Sequence, residues 1–556
     1  MRNWRRYILA GACGAILVCF LVVPILMAIG VGLFDGEHYP GYWVARMFAD
    51  LAARESLLNS LKVAAATTLG VFAVAIPLAV LANHYSFRGK SLASAMVMVP
   101  MILPPFVGAL ALRKLLAEGA GPVNLCLHAM GFEGVDWLGS GFVGVVILEV
   151  LHLYPIMYLN ASAALANVDP TLVEAARNLG ASRWRTFRTV TLPLIRPGLF
   201  AGGTIVFIWS FTELGTPLMV NYDAVLPVQI YNGLNELDTS PKIFSMVFVL
   251  LSSSVALYGM GKFLFGRSAA ATAGRGVGAT ERHAGAGATV AIWAAFGAVT
   301  AVALLPHVGV VLMAFAERWS MTILPESYTL SHVREVFTGA ATWNSIVNSL
   351  RYASLATVID VVLGLTIALL VVRLRVRGAA ALDSLGMLPL AVPGLVIASG
   401  YVALTASGPL ERIGPAGDPT VILIIAYSVR RLPYMLRAIS AGLQQTSETL
   451  EEAARNLGAG PVRTVWRVTV PLISANLLAG AILAFSFAML EVSDSLILAQ
   501  TAEHYPITKQ IWELVGPADT QHVAAALGMF GMGLLTATLI LANLLLGKRL
   551  GAMFRV

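Results

Sequence analysis

Apolar runs of about 20 residues, the length that crosses a bilayer as a helix, recur along the whole 556-residue chain. No other feature restricts the fold as much. In hydrocarbon, backbone N–H and C=O groups find no water, so a spanning segment must bond within itself as a helix or close into a barrel. A barrel would show short alternating segments, and none occur. The composition agrees. Hydrophobic residues make up 58% of the chain and charged residues 12%, against about 25% charged in an ordinary soluble domain. The expected fold class is an all-α membrane protein with about twelve transmembrane helices. Six are placed near 8–34, 57–83, 92–112, 141–165, 199–220 and 243–265, and six near 288–316, 345–372, 382–404, 419–443, 475–499 and 523–547.

The first run follows "MRNWRRY". A signal peptide would carry a shorter apolar core of about 7–15 residues and a small-residue cleavage site, so this run reads as an uncleaved span with a cytoplasmic N-terminus. On that assignment the inner segments hold Arg2, Arg5, Arg6, Arg88, Lys90, Arg373, Arg375, Arg377, Lys548, Arg549 and Arg555. This follows the positive-inside rule and puts both termini in the cytoplasm. The net charge of +7 is thus a topology signal, and no nucleic-acid partner is expected. Cys13, Cys19 and Cys126 form neither a disulfide framework nor a zinc spacing, and no metal site is expected.

The two sets of six spans are repeats. "EAARNLGASRWRTFRTVTLP" begins at Glu174, and "EAARNLGAGPVRTVWRVTVP" begins at Glu452. Asn59, Pro100 and Pro104 return 289 residues later as Asn348, Pro389 and Pro393. Pro155 and Met157 return 278 residues later as Pro433 and Met435, so the first half has 289 − 278 = 11 extra residues after its third span. The Gly- and Ala-rich segment 266–287 reads as a cytoplasmic linker between a first domain, 1–265, and a second, 288–556. An even number of spans separates equivalent points. The halves therefore share one orientation, with a pseudo-twofold axis along the membrane normal and a path between them.

The repeated passage has local physics of its own. Asp169-Pro170 is a helix start, with an N-cap followed by proline at the first helical position. "TLVEAARNL" carries apolar residues on one face, and Gly180 suits a left-handed C-cap. A second short helix begins near Ser182 and carries Arg183, Arg185 and Arg188, and Pro193 and Pro197 open the fifth span. The second copy repeats the plan with Gly458 at the turn and Pro471 before the span. The result is a polar helix–turn–helix lying beneath the bilayer. A basic loop resting on anionic lipid would explain the arginines but not the repeated Glu-Ala-Ala and Gly.

These residues resemble the permease subunits of binding-protein-dependent ABC importers. That family is marked by Glu-Ala-Ala, three residues, Gly, nine residues, Ile, one residue and Leu-Pro. Glu174, Ala175, Ala176, Gly180, Leu192 and Pro193 match, with Val190 in place of Ile. Glu452, Ala453, Ala454, Gly458 and Pro471 match, with Val468 and Val470 in place of Ile and Leu. The resemblance implies two type I permease domains fused head to tail, of the ferric-iron and thiamine group. It implies that each passage is a coupling helix fitting a cleft in an ATPase subunit, with the glutamates in polar contacts and the glycines at the turn. The implied partners are two copies of an ABC ATPase, a periplasmic or extracellular solute-binding protein, and membrane lipid. The implied location is the bacterial inner membrane.

No cofactor is expected in this chain. "FRGKS" at Phe87 lacks the earlier glycine of a phosphate loop, since His84 stands there, and no strand precedes it. ATP is expected on a partner chain, and no catalytic cluster is expected. Ionisable residues within spans are costly and face a cavity or a partner. Glu213 and Glu491 occupy equivalent positions, and Asp494 follows Glu491 by three residues. One reading makes them part of a translocation path whose outer end is acidic and favours a cation. The other makes them interior hydrogen bonds. His152 aligns with Arg430, and both are candidates for the path, which would then differ in charge between the halves; Glu149 stands where it can pair with His152.

The expected function is the permease of an ABC importer. Ferric iron is the first cargo, since "FTELGTP" looks like the iron group while "LEVSDSLIL" departs from it. Thiamine or a phosphonate is the alternative cargo, and an ion-coupled secondary transporter is the alternative class.

Overall fold

The computed structural model describes residues 3–236, 240–269 and 282–546, and within them the chain is mostly helical. Residues 270–281 of the expected linker lie outside the described residues, as do Arg2, Lys548, Arg549 and Arg555. Among the described residues two short strand pairs interrupt the helices. Tyr85–Ser86 runs parallel to Arg282–His283, and Ala316–Arg318 runs antiparallel to Ser327–Tyr328.

Among the described residues, eight helices are long and apolar enough to cross a membrane: Trp4–Leu33, Leu51–His84, Phe142–Ala166, Trp184–Phe211, Pro241–Met260, Ala286–Phe315, Ala340–Arg373 and Gln521–Leu541. Three helix pairs meet the same standard together but are sharply bent, which makes eleven if each pair is one span. The expected span near 419–443 is present as the helix Thr420–Gln445, but Arg430, Arg431 and Arg437 leave it too charged for that standard.

Proline sets the bends. The third span, expected near 92–112, is two helices, Lys90–Met101 and Pro105–Leu115, meeting at 89°. Its counterpart near 382–404 is Ala379–Leu390 and Gly394–Thr405, at 100°. Pro100 and Pro104, and Pro389 and Pro393, fall at these breaks. A proline removes a backbone donor and pushes the residue before it out of helical geometry. The eleventh span bends by 78° between Pro461–Leu472 and Ser474–Met489. The fifth span also differs from the expected 199–220. Its helix stops at Phe211, and a five-residue helix, Gly215–Met219, follows a break.

By compactness the chain forms two units. One contains Met1–Arg54, Gln229–Leu251 and Leu330–Met553, and the other is chiefly Glu55–Val228 and Ser252–Thr329. These units cut across the division expected from the sequence, 1–265, 266–287 and 288–556, since the first span of each half packs with the other half. In one unit Cys13 and Leu17 of the first span join Ile367, Leu436 and Ile439 in a buried cluster. The Tyr401 hydroxyl donates to the Phe20 carbonyl at 2.6 Å. In the other unit Ile292, Phe296 and Ala303 of the seventh span pack with Val71, Tyr154 and Met157.

Close approach in a membrane relies on small residues. A Cβ at Gly400 would lie 2.5 Å from the Pro24 backbone, and one at Gly309 would lie 2.9 Å from the Ala111 Cβ. Gly400→Val is therefore expected to lower thermal stability by about 1–3 kcal/mol, as overpacking does elsewhere. Thermal unfolding in detergent checks this, and an unchanged midpoint would contradict the contact.

Candidate coupling and translocation sites

The first helix–turn–helix forms as its residues dictate. Helix Pro170–Asn178 is capped by Asp169, whose carboxylate accepts the Thr171 N–H at 2.9 Å and the Thr171 hydroxyl at 2.8 Å. These two bonds, the hydroxyl's first, hold the Asp169 carboxyl below its ordinary pKa. The cap is thus intact at neutral pH and is lost only as pH falls through the carboxylate range. The helix ends in a Schellman turn. Gly180 has φ +81°, its N–H reaches the Arg177 carbonyl at 2.9 Å, and the Ala181 N–H reaches the Ala176 carbonyl at 3.1 Å. Glu174 and Ala175 are exposed and Ala176 is half-buried. Leu179 projects with 89% of its surface exposed. Helix Arg183–Thr186 then runs through a π turn, Phe187–Thr191, into the fifth span, with Trp184 stacked on Phe187.

The second copy repeats this geometry. Helix Thr449–Asn456 ends at Gly458, φ +87°, with bonds from the Gly458 N–H to Arg455 at 2.9 Å and from the Ala459 N–H to Ala454 at 3.0 Å. Glu452 and Ala453 are exposed and Ala454 is half-buried. Leu457 is 90% exposed, and Val462 and Trp466 also face outward. Leucine at nine-tenths exposure on a rigid turn, twice, makes a pair of small apolar knobs framed by charge. Exposed apolar patches rimmed by polar residues mark protein contacts.

One feature of the second copy was not legible from spacing. Glu451 is buried and accepts from Arg373 Nε at 3.0 Å and Arg455 at 3.4 Å. Arg373 also donates to the Thr446 carbonyl and hydroxyl, at 3.0 and 2.8 Å, and Arg375 pairs with Glu448 at 3.2 Å. Arg373 and Arg375, expected only as topology charges, therefore staple this helix to the eighth span. At the aligned positions of the first copy stand His84 and Val173. The acid that replaces Val173 was the available clue.

The intramembrane residues are arranged differently from expectation. Glu213 and Glu491 do not lie within helices. Each follows the end of one, and their N–H groups reach Ser210 and Ala488 carbonyls at 3.3 and 3.2 Å. Glu213 accepts from the Thr216 N–H at 3.2 Å. Glu491 is buried and pairs with Arg431 and, at 3.4 Å, with Arg430. Asp494, fully buried, lies 3.6 Å from Arg430. Two arginines thus face two carboxylates, and the acidic outer end expected around Glu491 and Asp494 is neutralised. The Arg430 guanidinium fills the space where a side chain at position 394 would project. Gly394, at the bend of the ninth span, is what admits it.

The pairing expected between Glu149 and His152 does not form. Glu149 accepts from Thr67 at 3.0 Å and from Ser210, while His152 hydrogen-bonds the Pro100 backbone. Proline offers only a carbonyl, so the ring donates. His152 and Arg430 still play parallel parts, since each reaches the bend of its own third span. Asp360 is a further buried carboxylate the sequence reading missed, and it accepts from Ser428 at 2.6 Å. Among the described residues no group of three or more His, Cys, Asp or Glu could hold a metal ion.

Apolar helices in two repeats, each with a bent third span and an exposed helix–turn–helix, define a membrane-embedded transport component. The chain belongs to the family of binding-protein-dependent transport system inner membrane components, whose model matches residues 75–268 and 360–552. It is a multi-pass permease subunit of the ABC importer type, a transport component and not an enzyme. The two matched stretches leave out both exchanged first spans, Trp4–Leu33 and Ala286–Phe315.

Relatives cover nearly the whole chain. It is 28% identical to the ferric transport system permease protein FbpB of Actinobacillus pleuropneumoniae, over 96% of this chain and 77% of that one. It is 29% identical to the putative ferric transport system permease protein FbpB 1 of Haemophilus influenzae, over 89% and 78%. A probable molybdenum ABC transporter permease protein of Haloferax volcanii is 37% identical over 31% of this chain and 61% of its own length.

Proposed function

We propose that the chain forms the membrane pathway of a ferric-iron importer. A solute-binding protein delivers the cargo on the outer side, and two ATPase subunits dock on the cytoplasmic side at the helix–turn–helix passages. The observation that carries the cargo is the likeness, across both halves, to permeases named for ferric transport. The observation that carries the docking is the pair of matched turns at Gly180 and Gly458, each presenting an exposed leucine. Glu174, Ala175 and Ala176 line one socket, and Glu452, Ala453 and Ala454 line the other. Both termini lie on the ATPase side, in keeping with the basic residues there.

In this mechanism, closure of the ATPase pair on ATP moves the two passages, and the spans continuous with them swing between inward- and outward-open states. The bent third spans, with His152 and Arg430 seated at the bends, Glu213 at the broken fifth span, and Glu491 and Asp494 on Arg430, are the path-side elements that move.

Reconstitution tests this. Co-expressed with its ATPase, the chain is expected to purify as one permease with two ATPases. With the binding protein present it should take up ferric iron in a vanadate-sensitive manner. Thiamine, a phosphonate and molybdate serve as competing cargoes. A fully active one-to-one complex would contradict the two sockets. Uptake abolished by an ionophore and indifferent to vanadate would instead place the chain among ion-coupled carriers.

A further inference from the structure

Where the first span begins, a crevice of about 290 Å³ opens between it and helix Ala379–Met387. Tyr7, Gly11 and Gly14 line one side, and Arg377, Ala381 and Leu385 line the other. Its floor is closed by packing of Cys13 and Leu17 with Val376 and Leu382. We propose that this crevice binds one anionic phospholipid, with the phosphate at Arg377 and Tyr7 and an acyl chain along Gly11 and Gly14.

The level of the crevice fits a lipid. Trp4 and Tyr7 stand at the start of one span, and Arg377 stands in the turn between the end of helix Ala340–Arg373 and the next helix. Aromatic rings and arginines at helix ends sit among headgroups. The charge fits as well. Of the three arginines at the end of that helix and in the turn after it, Arg373 is paired with Glu451 and Arg375 with Glu448. Arg377 is exposed and has neither an ion pair nor a hydrogen bond among the described residues. Arg5 and Arg6, also without an ion pair there, add positive potential at the same end of the first span. A guanidinium offers a phosphate two parallel donors.

The lower wall is apolar and has room. A Cβ at Gly11 or Gly14 would meet nothing within 4 Å. A trench of this size, roughly ten times a water's share of liquid volume and poor in polar groups, suits a hydrocarbon chain. The same helix end and turn carry the arginines that staple the second helix–turn–helix, so a lipid bound here would sit one residue pair away from that staple.

The test is native mass spectrometry of the detergent-purified full chain, supplied with equimolar phosphatidylglycerol and phosphatidylcholine. One retained phosphatidylglycerol per chain is expected, favoured about fivefold or more over phosphatidylcholine. Arg377→Glu should remove that preference. Gly14→Leu, whose Cβ enters open space, should reduce retention of both lipids. Inorganic phosphate should not displace the lipid, since it lacks the acyl chain. Equal retention of the two lipids by the wild-type chain overturns the proposal, and this comparison decides the matter even if a variant inserts poorly. Retention unchanged in both variants, displacement by phosphate, or loss of the lipid whenever the ATPase is bound also overturns it.

Discussion

Gly458→Val is expected to remove most transport while leaving the chain inserted and folded. At φ +87° an L-residue meets its own backbone, which costs about 1–2 kcal/mol, and β-branching raises that cost. A Cβ there would touch nothing within 4 Å, so the damage comes from the backbone and not from a clash. The turn would relax, Leu457 would move, and the contact proposed for the ATPase would loosen. Two companions isolate the cause. Gly460 has φ −67° and equally open space, so Gly460→Val should behave as wild type. Asparagine tolerates the left-handed region, so Gly458→Asn should keep most activity. Uptake and ATPase co-purification measured across the three variants decide the matter. Normal uptake by Gly458→Val would mean that this turn does not couple.

The second large effect is expected at Glu491. Glu491→Gln leaves Arg431 facing a neutral amide in a mostly buried site, while Arg430 keeps Asp494 at 3.6 Å. Breaking a buried ion pair from one side costs about 3–5 kcal/mol. At Glu213→Gln the amide oxygen still accepts from the Thr216 N–H. Thermal stability and membrane yield check the loss at Glu491. Arg431→Gln should be about as damaging as Glu491→Gln. The double variant should recover part of the loss, giving a coupling energy above about 1 kcal/mol in a double-mutant cycle. Additive losses would contradict the pairing. If Glu491→Gln is stable but transports poorly, the residue acts on the path as well as on the fold.

The sequence made some of this legible and hid the rest for physical reasons. Span positions were readable because about 20 apolar residues in hydrocarbon have few alternatives to a helix. The turns at Gly180 and Gly458 were readable because a left-handed cap strongly favours glycine. The bends at Pro100 and Pro389 were less so. Proline signals a break, but its angle depends on what packs around it. The pairing of Arg430 and Arg431 with Glu491 and Asp494 spans about 60 residues, and spacing along one helix cannot report a partner on another. The same holds for Arg373 and Glu451, 78 residues apart. Glu149 was assigned to His152 because the two are one turn apart, yet its hydroxyl partners Thr67 and Ser210 come from other helices.

The exchanged first spans bear on how the chain is made. Phe20 and Tyr401, joined by a hydrogen bond, are 381 residues apart. At about 5–20 residues per second a ribosome needs roughly 20–75 s to cover that distance. Throughout that interval the first span has entered the bilayer without its eventual neighbours, and its glycines and Cys13 face lipid or an insertion factor. Depletion of such a factor, or a pause introduced between the two halves, should therefore expose this span to membrane proteases before any later one.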